Sequence, residues 1–82
     1  MDILSSLQRL RWLPGTLGMR TTYHLPDGRS ISIVKIKARY NFAGTDQYET
    51  LMSDSDNEYR HNTLEEIAEY IKVLSSIKSE EA

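Results

Sequence analysis

Apolar residues recur along this chain with two different periods, and the periods locate its elements. Near the start, Ile3, Leu4, Leu7 and Leu10 follow the i, i+1, i+4, i+7 spacing that lines one face of a helix. The spacing predicts a helix over 2–13 with Asp2 as its cap. Pro14-Gly15 is its expected stop, because proline disfavours helix in the residue before it and glycine accepts left-handed dihedrals. Trp12 and Leu13 are expected to close the helix end over the core.

A period of two follows. Residues 19–25 place Thr21, Tyr23 and Leu25 on one side of a strand, and Pro26-Asp27-Gly28 turns the chain. A second strand is predicted over 29–40, where Val34, Ile36, Ala38 and Tyr40 alternate with Lys35, Lys37 and Arg39. On that count the first set faces the core and three cations face the open side. Ile31 and Ile33 have the opposite parity. Either a bulge near Ile33–Val34 re-phases them or the second face is partly covered, and both readings stay open. A loop over 41–46 pivots on Gly44. A third strand over 47–53, an acidic turn over 54–57 and a short strand over 58–60 come next.

The last helix is predicted over 64–78. Thr63 and Glu66 have the spacing of a capping box. Leu64, Ile67, Ala68, Ile71 and Leu74 make an apolar stripe that Tyr70, Val73 and Ile77 widen, leaving Glu65, Glu66, Glu69 and Lys72 to solvent. The expected fold is α+β: a three- to four-stranded antiparallel sheet with the N- and C-terminal helices packed on one face, in the order α-β-β-β-(β)-α. One small domain is expected over 1–82, with 79–82 as a disordered acidic tail.

Composition limits what such a domain can do. Leu, Ile, Val and Phe make up 19 of 82 residues, just above the roughly 20% below which chains tend to be disordered. The core is therefore small, and no disulfide reinforces it, because the chain has no Cys. Thiolate catalysis and Cys-ligated zinc are excluded on the same ground. No apolar run approaches the roughly 18 residues of a membrane span. The first fifteen residues lack the pattern of a signal peptide, so the expected location is the cytoplasm.

Charge changes the picture more. The net charge is −2, but residues 1–40 hold seven Lys/Arg and two acids, a net of +5, and residues 41–82 hold three and ten, a net of −7. Such asymmetry points to a binding polarity. Asp46, Glu49, Asp54, Asp56, Glu58, Glu65, Glu66 and Glu69 crowd into 24 residues beside Tyr48 and Tyr59. Carboxylates spaced this way imitate a phosphate backbone and suit a basic groove, with tyrosines as anchors. Lys35, Lys37 and Arg39 are the alternative, a basic strand face that tracks nucleic-acid phosphates.

Catalytic signals are weak. Asp54, Asp56, Glu58, Asn62 and Glu65 match part of a calcium-loop spacing, but Tyr59 stands where that loop needs glycine. His24 and His61 are not paired at metal-ligand spacing, no serine sits in a G-x-S-x-G context, and the four glycines are scattered. The expectation is a protein without cofactor, metal or catalytic residues.

Two resemblances bear on this. The αβββα order resembles a double-stranded RNA-binding domain, but the last helix opens Thr63-Leu64-Glu65-Glu66, with acids where that family carries lysines, and Pro26-Asp27-Gly28 does not match its Gly-Pro-x-His loop. The stretch Tyr23–Leu51, with its Gly turn, Ile/Val strand, Tyr- and Gly-containing loop and Tyr-Glu strand, resembles small phage and prophage proteins, as does the acidic helix start Thr63–Ile67. Some compact acidic α+β members of that group are anti-CRISPR proteins. The resemblance implies a non-enzymatic, phage-encoded inhibitor of a host defence nuclease that works by protein–protein contact in the host cytoplasm. The alternatives are a nucleic-acid-binding module and a homodimeric interaction protein.

Overall fold

The computed structural model describes residues 2–78, with side chains through Ser75. Helix α1 spans Ile3–Arg9. Five strands follow, β1 (Leu13–Pro14), β2 (Gly18–His24), β3 (Ser30–Ile36), β4 (Gln47–Met52) and β5 (Glu58–His61), and helix α2 spans Leu64–Lys78. A 3-10 turn at Ala38–Tyr40 separates β3 from β4. The strands form one antiparallel meander in the order β1-β2-β3-β4-β5, and each pair is sequential. The fold is α+β, as the sequence predicts, with the short strand at 58–61 formed and one further strand at Leu13–Pro14.

Both helices lie on one face of the sheet. Leu7 of α1, Ile67 and Ile71 of α2, Ile31 and Ile33 of β3, Leu25 and Met52 make a single buried cluster. Ile31 and Ile33 are wholly buried. At about 1.5–3 kcal/mol for each such side chain removed from water, this cluster is what holds helices to sheet. It also fixes the phase of β3, and that phase corrects the sequence reading. Ile31 and Ile33 face the helices, so Lys35 shares their side and Val34 points away. No bulge re-phases the strand, since the β2–β3 register runs unbroken from Gly18↔Ile36 to His24↔Ser30. The opposite face is partly covered instead: Ile36 and its neighbour Gln47 are buried there.

The strand also ends earlier than 40. Ala38 N–H donates to Asp46 Oδ1 (3.0 Å), and the Asn41 side-chain amide donates to the carbonyls of Ile36 (3.4 Å), Lys37 (3.1 Å) and Thr45 (3.2 Å). These local bonds replace ladder bonds and fold 37–46 into a tied loop. Ala38 and Tyr40 therefore belong to the 3-10 turn, not to a core-facing row.

Helix α1 is shorter than predicted. Ser5 N–H donates to Asp2 Oδ1 (2.8 Å), the expected cap. At the other end Leu10 is already extended, and the Trp12 indole N–H donates to the Leu7 carbonyl (3.2 Å). Trp12 packs on the core, but Leu13 turns outward as part of β1 and is exposed. Proline is admissible at position 14 because β1 is an edge strand. At the start of α2, Glu66 N–H donates to Thr63 Oγ1 (3.2 Å), while the Glu66 carboxylate accepts from Asn62 N–H (2.8 Å), one residue further back than in a standard box. Ile77, and the tail expected over 79–82, lie outside the described side chains.

Gly18 closes the β2–β3 pair. A Cβ there would collide with the Lys35 carbonyl oxygen and press on Lys37 Cγ at 3.3 Å, and its φ of +155° disfavours a side chain. At Gly15 a Cβ would meet only ordinary contacts, the nearest at 3.5 Å. Gly18→Ala is accordingly expected to cost about 1–3 kcal/mol and Gly15→Ala less than about 0.5 kcal/mol, read by urea denaturation. Equal costs at the two positions would contradict this account of the β2–β3 contact.

Candidate functional site

The meander converts the charge split along the sequence into a split across the sheet. β1 and β2 lie at one edge and β4 and β5 at the other, with α2 beside β5. The acidic residues nevertheless have different tasks. Asp46 is committed to the loop: it accepts from Ala38 N–H and pairs with Lys35 at 3.6 Å. That backbone bond, helped by Lys35 and Lys37, holds its carboxyl below the usual carboxylate range. Glu49 pairs with Arg60 at 2.8 Å on the face away from the helices, where Glu58 also points. Glu66 is spent on the α2 cap.

Asp54, Asp56, Glu65 and Glu69 remain exposed, with no ion-pair partner among the described residues. Asp54 and Asp56 are on the β4–β5 turn. Glu65 and Glu69 flank a shallow groove of about 410 Å³ between α1 and α2, whose other walls are Asp2, Ile3, Leu4, Ala68 and Lys72. Its floor is apolar and its rim mostly acidic.

Between turn and groove runs an aromatic edge. The Tyr59 and Tyr70 rings lie 5.8 Å apart and the His61 and Tyr70 rings 5.2 Å apart. Such tilted contacts add to burial energy and stiffen the edge. Tyr59 is 49% exposed and Val73 54% exposed. Burial, and then the neighbouring Tyr59 and Asp54, push the Tyr70 hydroxyl above its usual range. Sequence periodicity assigns Tyr70 and Val73 to the widened core stripe. The signal that separates them is their offset from Leu64, Ile67, Ile71 and Leu74, which turns them towards β5 and solvent.

Tyr48 belongs elsewhere. It is half-buried against the core, edge-on to Trp12 at a centroid distance of 6.5 Å. It is a core aromatic and not an exposed anchor. The predicted row of cations is likewise broken. Lys35 is on the helix side with Asp46, Lys37 follows the end of β3, and Arg39 sits in the 3-10 turn with its guanidinium 4.9 Å from the Tyr40 ring centroid. The five residues at calcium-loop spacing do not converge, because β5 pairs with β4 across 58–61 and spreads them. Among the described residues no three His, Asp or Glu side chains gather as metal ligands, and no helix is long and apolar enough to cross a membrane.

His61 links this edge to the sheet. Its Nε2 and the hydroxyl of buried Thr50 are 2.9 Å apart. Burial lowers its pKa below 6.5, against a smaller opposing pull from Glu66. A folded pKa below the unfolded one means that the unfolded chain binds the proton more tightly. The stabilisation is fully present above the unfolded pKa and is lost as pH falls through the folded one. His61 is thus expected to titrate below 6.5 by NMR. Stability should fall as pH drops through 6.5 and below, and His61→Gln should flatten that fall. A His61 midpoint above 6.5 would refute the assignment.

No family model matches the chain, and no curated protein or solved structure matches it.

Proposed function

We propose that the chain is a non-enzymatic binding protein that docks the β5–α2 edge on a basic surface of a protein partner. The observation that carries this reading is the placement of half-exposed Tyr59 and Val73, with Tyr70, between the exposed carboxylates of Asp54, Asp56, Glu65 and Glu69. Aromatic anchors inside a charged rim are the usual anatomy of a protein interface. The acidic rim steers encounter with a cationic partner and leaves affinity to the tyrosines. The cavities favour binding over catalysis. They are shallow, and the titratable groups that shift, Asp2, Asp46, His61 and Tyr70, belong to a helix cap, a loop tie and two aromatic contacts.

The resemblance of Tyr23–Leu51 to phage-encoded proteins makes a host defence nuclease the first partner to try. An acidic edge competes for the basic channel through which such a complex handles nucleic acid. The sites Asp54, Glu65 and Glu69 are exposed and outside the ion pairs and the α2 cap, so reversing them to Lys leaves the fold intact. The triple variant is expected to bind the partner at least tenfold more weakly and to lose inhibition of target cleavage. Tyr59→Ala should weaken binding by about 1 kcal/mol or more. Wild-type binding should also weaken as salt rises. Undiminished binding by the triple variant would overturn the proposal.

A further inference from the structure

The face of the sheet away from the helices carries a second surface, basic at its β1–β2 end. Cross-strand register places Leu13, Arg20, Val34, Glu49 and Arg60 in one row, and Thr22, Ser32, Leu51 and Glu58 in the next. Continuing the β1–β2 register sets Arg11 opposite Thr22, and the Thr21 hydroxyl fixes the strand there by donating to the Arg11 carbonyl (3.0 Å). Arg11 and Arg20 are then diagonal neighbours, about 7–8 Å apart at their backbones. They share a hollow of about 200 Å³ with Leu13, Thr21, Thr22 and Ser32.

Among the described residues no carboxylate answers these two arginines. The nearest along the row, Glu49, is two strands and about 10 Å away and is held by Arg60. Adjacent like charges without a counter-ion are unfavourable, which is the condition an anionic ligand relieves. The hydroxyls of Thr22 and Ser32 make no hydrogen bond among the described residues and offer two donors.

Lys37 extends the surface. It follows the end of β3, and its Cγ would be 3.3 Å from a Cβ on Gly18, so its stem lies beside the end of β2, two residues from Arg20. Beside Arg20, Pro14, Gly15, Thr16, Leu17 and Val34 line a shallow second hollow. Beyond Lys37 the tied loop presents Arg39, Tyr40 and Phe42. Tyr40 is 48% exposed and Phe42 entirely so. The Asn41 side chain bonds three carbonyls and accepts from Ala43 N–H (2.7 Å), so the residue before Phe42 is held from both sides. Phe42 is thus a fully exposed aromatic ring on a tied loop, with Lys37 and Arg39 a few residues before it in the chain.

We infer that Arg11 and Arg20 hold the backbone of a single-stranded nucleic acid on the open sheet face, that Lys37 at the end of β3 prolongs the track, and that Phe42, on the loop that follows, stacks on an unpaired base. Cations with interleaved aromatics are what such binding requires, and base faces are sequence-tolerant. A duplex offers no free base face to Phe42, so single strands are the preferred ligand. The surface is separate from the acidic β5–α2 edge, so its test is independent of the protein-binding proposal.

The experiment is fluorescence anisotropy at low salt with labelled oligothymidylate, oligouridylate and a duplex. Wild-type protein should bind one or both single strands more tightly than the duplex. Phe42→Ala should weaken that binding at least about fivefold. Arg20→Gln should weaken it several-fold and reduce the salt dependence, whereas Arg9→Gln, with the same change in charge, should leave it within twofold. These positions are exposed, so each variant should keep the wild-type circular dichroism spectrum and melting temperature. Absence of binding to both single strands, equal or tighter binding of the duplex, an unaffected Phe42→Ala, or equal losses from Arg9→Gln and Arg20→Gln would each overturn the inference.

Discussion

The burial of Ile31 and Ile33 between β3 and the two helices is the constraint on which the rest of the structure depends. Side chains alternate across a strand, so choosing these two as the inward residues chooses the outward ones as well. Through the unbroken registers with β2 and β4, the choice spreads over the sheet: Tyr23 and Met52 join the isoleucines, while Arg20, Thr22, Ser32 and Glu49 face away. A slip of one residue would exchange the two faces. It would bring Arg20 and Glu49 under the helices, at the cost of desolvating charges in a core with few apolar residues to spare.

Meander topology then separates the charges. Sequential strands are neighbours, so the basic first half of the chain and the acidic second half end at opposite edges of one sheet. The exposed large apolar side chains divide in the same way. Leu13, Leu17, Tyr40 and Phe42 accompany the cations, and Tyr59 and Val73 accompany the acids. Each charged region therefore has the apolar anchors that charge alone lacks. Ion pairs are placed where they tie elements together: Arg29–Asp27 at the β2–β3 turn, from which Arg29 also reaches the Leu74 carbonyl of α2 (3.3 Å), Lys35–Asp46 at the loop, and Arg60–Glu49 across β4 and β5.

Much of this was legible in the sequence where one local signal decides the outcome. The caps at Asp2 and Thr63, the Pro26–Gly28 turn, the α2 stripe and the short strand before α2 are read from neighbouring residues, and the structure has all of them. The errors occur where tertiary contacts decide. The alternation from Val34 to Tyr40 is more regular than that from Ile31 to Lys35, yet the helices packed on Ile31 and Ile33 select the opposite phase. The side chains that end β3, Asn41 and Asp46, are several residues downstream of the strand. In the acidic half, composition located the charged region but not the division of labour within it. That Asp46 ties a loop, Glu49 pairs with Arg60 and Tyr48 packs on Trp12 depends on partners far apart in the chain.

The phase of β3 can be measured directly, because the chain has no Cys and each introduced thiol is unique. Single variants Ile31→Cys, Ser32→Cys, Ile33→Cys and Val34→Cys, labelled with a maleimide under native conditions, report the accessibility of each position. The account predicts alternation: thiols at 32 and 34 label readily, and those at 31 and 33 label at least about tenfold more slowly, through local opening alone. Protection at 34 with ready labelling at 33 would contradict it, and with it the placement of Arg20, Thr22 and Ser32 on the open face.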